Sequence, residues 1–209
     1  MIKEEYSPKL EFFRRVRALS YIERCSNTPH IRAYSVAEHS YYITLYSMIF
    51  ADMENLRLEK LKSEFFETYD VSSVMRKALL HDLEESVVGD ILYPVHAGDP
   101  IFKKALDEVR TGCVEAQLFK ELPDSLRNYY VRLWKTAKND SLEGKLVACM
   151  DKFEILVFAM QEIRMGNRDF WQLYENALEI IRMYYSIPSV NSVISEIDEF
   201  VRIDQKRKS

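Results

Sequence analysis

Four histidines are all that 209 residues supply, and two of them stand where an ordinary helical core has no use for an imidazole. His39 follows Val36-Ala37-Glu38 near the start of an apolar-periodic segment. His81 closes the run Met75-Arg76-Lys77-Ala78-Leu79-Leu80, and Asp82 follows it directly. Neighbouring helical residues point about 100° apart, so both members of the pair can reach one ion near a helix end. A further carboxylate, Asp151, lies inside the apolar run LVACMDKFEILVFAM. An unpaired charge is costly to bury there, so Asp151 needs a cation or strong donors. Lys152 beside it should point to another sector of the helix. Two imidazoles and two carboxylates suit manganese, iron, cobalt, nickel or zinc, and leave positions for water and substrate. Each residue alone also has a plainer reading: a satisfied core histidine, a chance His-Asp pair, an aspartate on the polar side of its helix. His30 and His96 read as surface or loop residues, with contact to a phosphate as the alternative for His96.

The elements that must bring these residues together read as helices nearly throughout. Phe13, Val16, Leu19 and Ile22 recur at intervals of three and form one apolar stripe. Ser35 and Glu38 have capping-box spacing, so a helix carrying His39 should open near Ser35 or Val36 and run to about Met53. The stretch from Val71 to about Asp82 shows Val74, Ala78 and Leu79 on one face. Gly89, Pro94, Gly98 and Pro100 mark the longest irregular segment. Asp99-Pro100 reads as an N-cap followed by proline at the first helical position, opening a helix to about Leu122. Pro123-Asp124 and Asn139-Asp140 punctuate two more helices, the second starting near Ser141 and stopping at Gly166-Asn167. Amphipathic helices at about 170–186 and 189–203 follow, with a frayed QKRKS end.

Composition bounds the functions. Apolar residues make up 47%, with only five glycines and six prolines, which excludes a disordered chain or a turn-rich β-sandwich. The net charge of −4, from 29 basic and 33 acidic residues well mixed, offers no basic face for a nucleic-acid polymer. Cys25, Cys113 and Cys149 are scattered and odd in number, so a disulfide framework is not expected. No stretch approaches a membrane span and the first residues lack an apolar leader core, which points to the cytoplasm. One domain over 1–209 is expected, without repeats or linkers.

The order His39, His81-Asp82, Asp151 resembles the H…HD…D signature of the HD superfamily, and within it the chain resembles YfbR-type 5′-deoxynucleotidases. ERCSNTPHIRAYSVAEHS is similar to that family's segment leading to its first histidine, with Arg24 and Arg32. HDLEESVVGDILYP resembles the HDxxE…GD…P block at His81, Asp82, Glu85, Gly89, Asp90 and Pro94. MDKFEILVFAMQEIRMGN resembles the helix with the last ligand and its closing Gly-Asn. The likeness covers roughly residues 10–170, and the C-terminal helices at about 170–203 are less distinctive.

The resemblance implies an all-α, single-domain HD helical bundle. It implies one divalent ion (cobalt, manganese, magnesium, iron, nickel or zinc) on His39, His81, Asp82 and Asp151, whose activated water attacks phosphorus. Glu85 would be the catalytic carboxylate, with Glu84 a decoy beside it. Arg24 would grip the phosphate, and Arg32 and Asp90 would serve the substrate, Asp90 through the sugar 3′-hydroxyl. The expected reaction releases phosphate from a nucleotide or nucleotide analogue and leaves a nucleoside. A nucleoside triphosphate polyphosphohydrolase is the alternative, and a catalytically inactive regulatory HD domain is the non-enzymatic one. Family members are often dimers, so a homodimer stays open as an assembly. Two positions depart from the pattern: Cys25 stands where the family has a tryptophan, and Leu92 where it has its first proline. The missing tryptophan puts deoxyribose preference in question, and the missing proline points to a pocket reshaped for another nucleotide, including a triphosphate or an unusual sugar.

Overall fold

A computed structural model describes residues 10–61, 67–91 and 99–208. Leu92, Pro94 and His96 lie outside that set. The described chain is helical, in agreement with the expectation, and has no strands, only an isolated antiparallel bridge between Glu23 and Ser35. In order the helices are α1 (Leu10–Ala18), α2 (Val36–Lys60), α3 (Val71–Leu80), α4 (Glu85–Val88), α5 (Pro100–Cys113), α6 (Asp124–Lys135), α7 (Leu142–Arg164), α8 (Trp171–Tyr184) and α9 (Pro188–Lys208). None of them is long and apolar enough to cross a membrane.

Side-chain caps set several starts. Ser35 accepts from the Glu38 amide, Asp70 from Ser73, Asp99 from Ile101 and Ser141 from Gly144, each satisfying an amide that the first turn leaves orphaned. Ends differ more from expectation. α2 runs to Lys60, two turns past Met53, because Leu58 still finds a buried place. α5 stops at Cys113 and the chain continues as one π turn, Val114–Leu118, before Phe119. α9 continues through Lys208, so QKRK is helical. The stripe on α1 also needs correcting: Phe13 is 55% exposed, whereas Phe12 packs with Val16, Leu19 and Ile22. Phe12, Val16 and Leu19 follow the ordinary i, i+4, i+7 spacing of one α-helical face, and the helix then tightens into a 3₁₀ turn at Leu19–Tyr21.

Two apolar clusters form the interior. The larger gathers Ile43 and Phe50 of α2, Val74 of α3, Met150 of α7, Tyr174 of α8 and Ile194 of α9. The smaller joins Leu19, Val36, Leu83, Val114, Phe119 and Val131. α2 and α7 are central: α2 packs on α3 and α7, and α7 also on α8. The candidate ligands sit on the seam. His39 lies in sequence between Val36 of the small cluster and Ile43 of the large one, and Asp82 between Ala78 and Leu83.

Candidate metal centre

α2, the corner after α3, and α7 each deliver part of one buried cluster. His39, His81 and Asp82 bring ligand atoms within 4.8 Å of one another. His81 caps α3, and its Nδ1–H donates to the Ala78 carbonyl at 2.7 Å, which leaves the Nε2 lone pair free. Burial lowers the His81 pKa, so the ring is neutral. His39 is fully buried, with Nδ1 2.6 Å from Glu154 Oε2 and 2.9 Å from the Tyr34 hydroxyl. Tyr34 also donates to Glu154. With Nδ1–H given to the carboxylate, His39 too presents its Nε2 lone pair. Neither Nε2 makes a hydrogen bond. Buried polar atoms are nearly always satisfied, so two orphans side by side call for a ligand.

The carboxylates face these nitrogens. Asp82 Oδ2 is 2.9 Å from His81 Nε2 and 3.6 Å from His39 Nε2. Asp151 Oδ1 is 3.2 Å from His39 Nε2, although Asp151 stands one step outside the mutual grouping of the other three. Burial works against ionising either acid. Close contact with His81 and the charges of Lys138 and Arg24 nevertheless hold Asp82 well below the usual carboxylate range, and the charges of Lys138 and Lys152 with contact from His39 do so for Asp151. Lys152 therefore does not point away as its helical sector suggested. Its Nζ reaches back to 3.4 Å from Asp151 Oδ2 along a flexible stem. Two imidazoles with Nε2 turned inward and two ionised carboxylates fit a divalent cation.

Arg24 lies on the segment closed by Arg24 N–H to Tyr34 O (2.8 Å) and Val36 N–H to Ile22 O (3.0 Å). Its guanidinium donates to Asp82 Oδ2 at 3.0 Å and approaches Glu85 Oε2 at 3.9 Å, while its buried Nε has no partner. Cys25, next to it, adopts a left-handed backbone (φ 54°), which costs a non-glycine residue about 1–2 kcal/mol. Burial pushes the Glu85 carboxyl well above its ordinary range, with the Asp82 charge adding to it, and Glu85 Oε2 has no hydrogen-bond partner. Asp90 lies close enough for its charge to raise both Cys25 and Glu85. Arg32 is not brought to the cluster: it is exposed, with NH1 donating to Gln161 at 3.3 Å and its backbone N–H to Glu162.

Two residues near the cluster escaped the sequence reading, and a third figures there only as a decoy. Glu154 sits one turn past Asp151, a spacing that could have shown it on the same face. Lys138 lies in a turn with no pattern around it, its Nζ 3.1 Å from Asp151 and 3.5 Å from Asp82. The third, Glu84, is buried, takes a 2.6 Å hydrogen bond from Trp134 Nε1 and has Arg110 at 3.7 Å.

A family profile described as 5′-deoxynucleotidase YfbR-like matches residues 11–200. An HD-domain phosphohydrolase from Listeria innocua is 30% identical over 91% of this chain and 87% of its own, with a TM-score of 0.74. A protein from Pyrococcus horikoshii is 21% identical over 90% of this chain and 98% of its own, with a TM-score of 0.69. The HD phosphohydrolase of cyanophage S-2L, solved with dA and one catalytic Zn²⁺ ion, is 16% identical over 94% and 98%, with a TM-score of 0.60. The last two show likeness of fold alone. No curated protein matches the chain.

Proposed function

The chain belongs to the 5′-deoxynucleotidase YfbR-like family, and from that premise we propose that this HD-domain phosphohydrolase removes phosphate from nucleotides or nucleotide analogues, leaving a nucleoside. His39, His81, Asp82 and Asp151 are the residues to hold one divalent cation. The observation that carries this reading is the pair of buried, unpartnered Nε2 atoms of His39 and His81 beside two ionised carboxylates. When bound, the cation supplies Lewis acidity toward a phosphoryl oxygen and lowers the pKa of water.

The remaining residues have roles their surroundings support. Arg24 grips the phosphate. Asp82 and other nearby acids keep it charged despite its burial, and its Nε is a donor still seeking an acceptor. Glu85, kept protonated by its buried setting, hands a proton to the departing 5′-oxygen. Asp90 accepts a hydrogen bond from a sugar hydroxyl. The dA and zinc of the cyanophage neighbour are in keeping with a deoxynucleoside product and a transition-metal ion.

Phosphate release from nucleoside mono-, di- and triphosphates, each with cobalt, manganese, magnesium, iron, nickel or zinc, tests the proposal. Orthophosphate from monophosphates is expected, with His81→Ala losing both turnover and stoichiometric metal. Pyrophosphate or triphosphate release would move the activity to the polyphosphohydrolases. Stoichiometric metal in His81→Ala would remove the site, and no turnover of any nucleotide would leave a regulatory HD domain.

A further inference from the structure

Lys138 projects from the turn between α6 and α7 and touches both candidate carboxylate ligands, at Asp151 Oδ2 (3.1 Å) and Asp82 Oδ1 (3.5 Å). These are not the oxygens that face the imidazoles. Asp82 Oδ2 is the one 2.9 Å from His81 Nε2, and Asp151 Oδ1 the one 3.2 Å from His39 Nε2. The lysine thus braces both acids from the far side and leaves the inner oxygens to a cation. An ammonium has three N–H donors. Two are engaged by the carboxylates, and among the described residues no acceptor takes the third.

The surroundings say what that donor faces. The Lys138 side chain is 36% exposed and lines a cavity of about 380 Å³ together with His81, Glu84, Trp134 and Asn139. The cavity therefore touches a candidate metal ligand on one side and opens to solvent on the other. Charge balance points the same way. A divalent cation cancels Asp82 and Asp151, which leaves Arg24, Lys138 and Lys152 as positive charges able to face an anionic phosphate, Arg24 and Lys138 being the two that touch Asp82. The two approach Asp82 through different oxygens, Arg24 at Oδ2 and Lys138 at Oδ1.

We propose that Lys138 is a second phosphate-binding cation of this site, bridging the outer oxygens of Asp82 and Asp151 and giving its remaining N–H to a non-bridging oxygen of a phosphomonoester. The assignment rests on the phosphohydrolase reading above. It differs from a purely neutralising lysine, which would support the carboxylates and touch no substrate.

The test is calorimetric titration of Mn²⁺ alone, then of inorganic phosphate into the Mn²⁺-loaded protein, for wild type, Lys138→Met and Lys135→Met. Lys135 lines the same cavity but pairs with Glu115 at 3.0 Å, so it controls for the general loss of one charge. A lost charge-assisted hydrogen bond should weaken phosphate about 10- to 100-fold in Lys138→Met. Metal stoichiometry should stay at one, with affinity unchanged or tighter because a repelling charge is gone. Lys135→Met should stay within about threefold of wild type in phosphate affinity. Equal phosphate binding by wild type and Lys138→Met overturns the proposal. So does an equal loss in both variants, or a loss of metal matching the loss of phosphate in Lys138→Met. A wild type that takes up no metal or phosphate instead defeats the functional reading on which the proposal stands.

Discussion

A histidine that offers Nε2 to a cation must have its Nδ1–H committed elsewhere, or the ring can rotate and the wrong tautomer can prevail. The two rings solve this differently. His81 uses a backbone carbonyl of its own helix, which no side-chain substitution removes. His39 relies on Glu154, which also accepts from Tyr34. Glu154→Gln should therefore leave the fold intact and weaken metal binding about 10- to 100-fold, the usual effect of losing such a partner. Competition against a chromophoric chelator measures it, and wild-type affinity in the variant would show that Glu154 only fills space. His39, His81, Asp82 and Asp151 could be singled out in the sequence because imidazoles and lone acids are conspicuous among apolar residues. Their partners are less conspicuous. Glu154 is one more acid on a long helix, Lys138 one more base in a turn, and only folding shows that they converge.

Among the elements, the turn between α6 and α7 bears most directly on the site, because it presents Lys138 and launches the helix of Asp151. Asn139 Oδ1 ties it down, accepting from Ser141 and from Lys77 of α3 at 3.1 Å. This close wrapping needs Gly144: a Cβ there would lie 2.3 Å from both the carbonyl and side-chain oxygens of Asn139. Gly144→Ala sets two effects against each other. Helix propensity favours alanine by about 1 kcal/mol, while forcing an extra carbon into a filled space costs about 1–3 kcal/mol. With backbone as the obstacle the clash should win, for a net loss of up to about 2 kcal/mol in urea unfolding. A raised unfolding midpoint would mean that the turn yields freely. The caps Ser35 and Asp99 made helix starts legible, since a cap is a local hydrogen bond. The ends of α2 and α5 were not, because burial of Leu58 and the π turn at Val114–Leu118 answer to partners distant in the chain.

Across the whole molecule the cluster couples three separate stretches of sequence on the seam between two apolar clusters. Helical periodicity announced an all-α chain, but it carries no record of which faces meet across a hundred residues. The seam was therefore invisible until the helices were packed. Its position has a thermodynamic consequence. Without a cation, Asp82 and Asp151 lean on Arg24, Lys138 and Lys152, and two buried imidazole nitrogens go unpaired. A cation that binds only the folded arrangement stabilises it by about 2.7 kcal/mol at a hundredfold excess over its dissociation constant. For a chain of this length each kcal/mol moves the melting temperature by about 2–4 °C. Manganese should therefore raise the melting temperature by roughly 5–10 °C, and a chelator should reverse the gain. Asp151→Asn should flatten the response, because an amide oxygen is a poorer ligand and lacks the charge. A melting temperature indifferent to metal in wild type, with the same trace in Asp151→Asn, would mean that the three stretches are held together by packing alone.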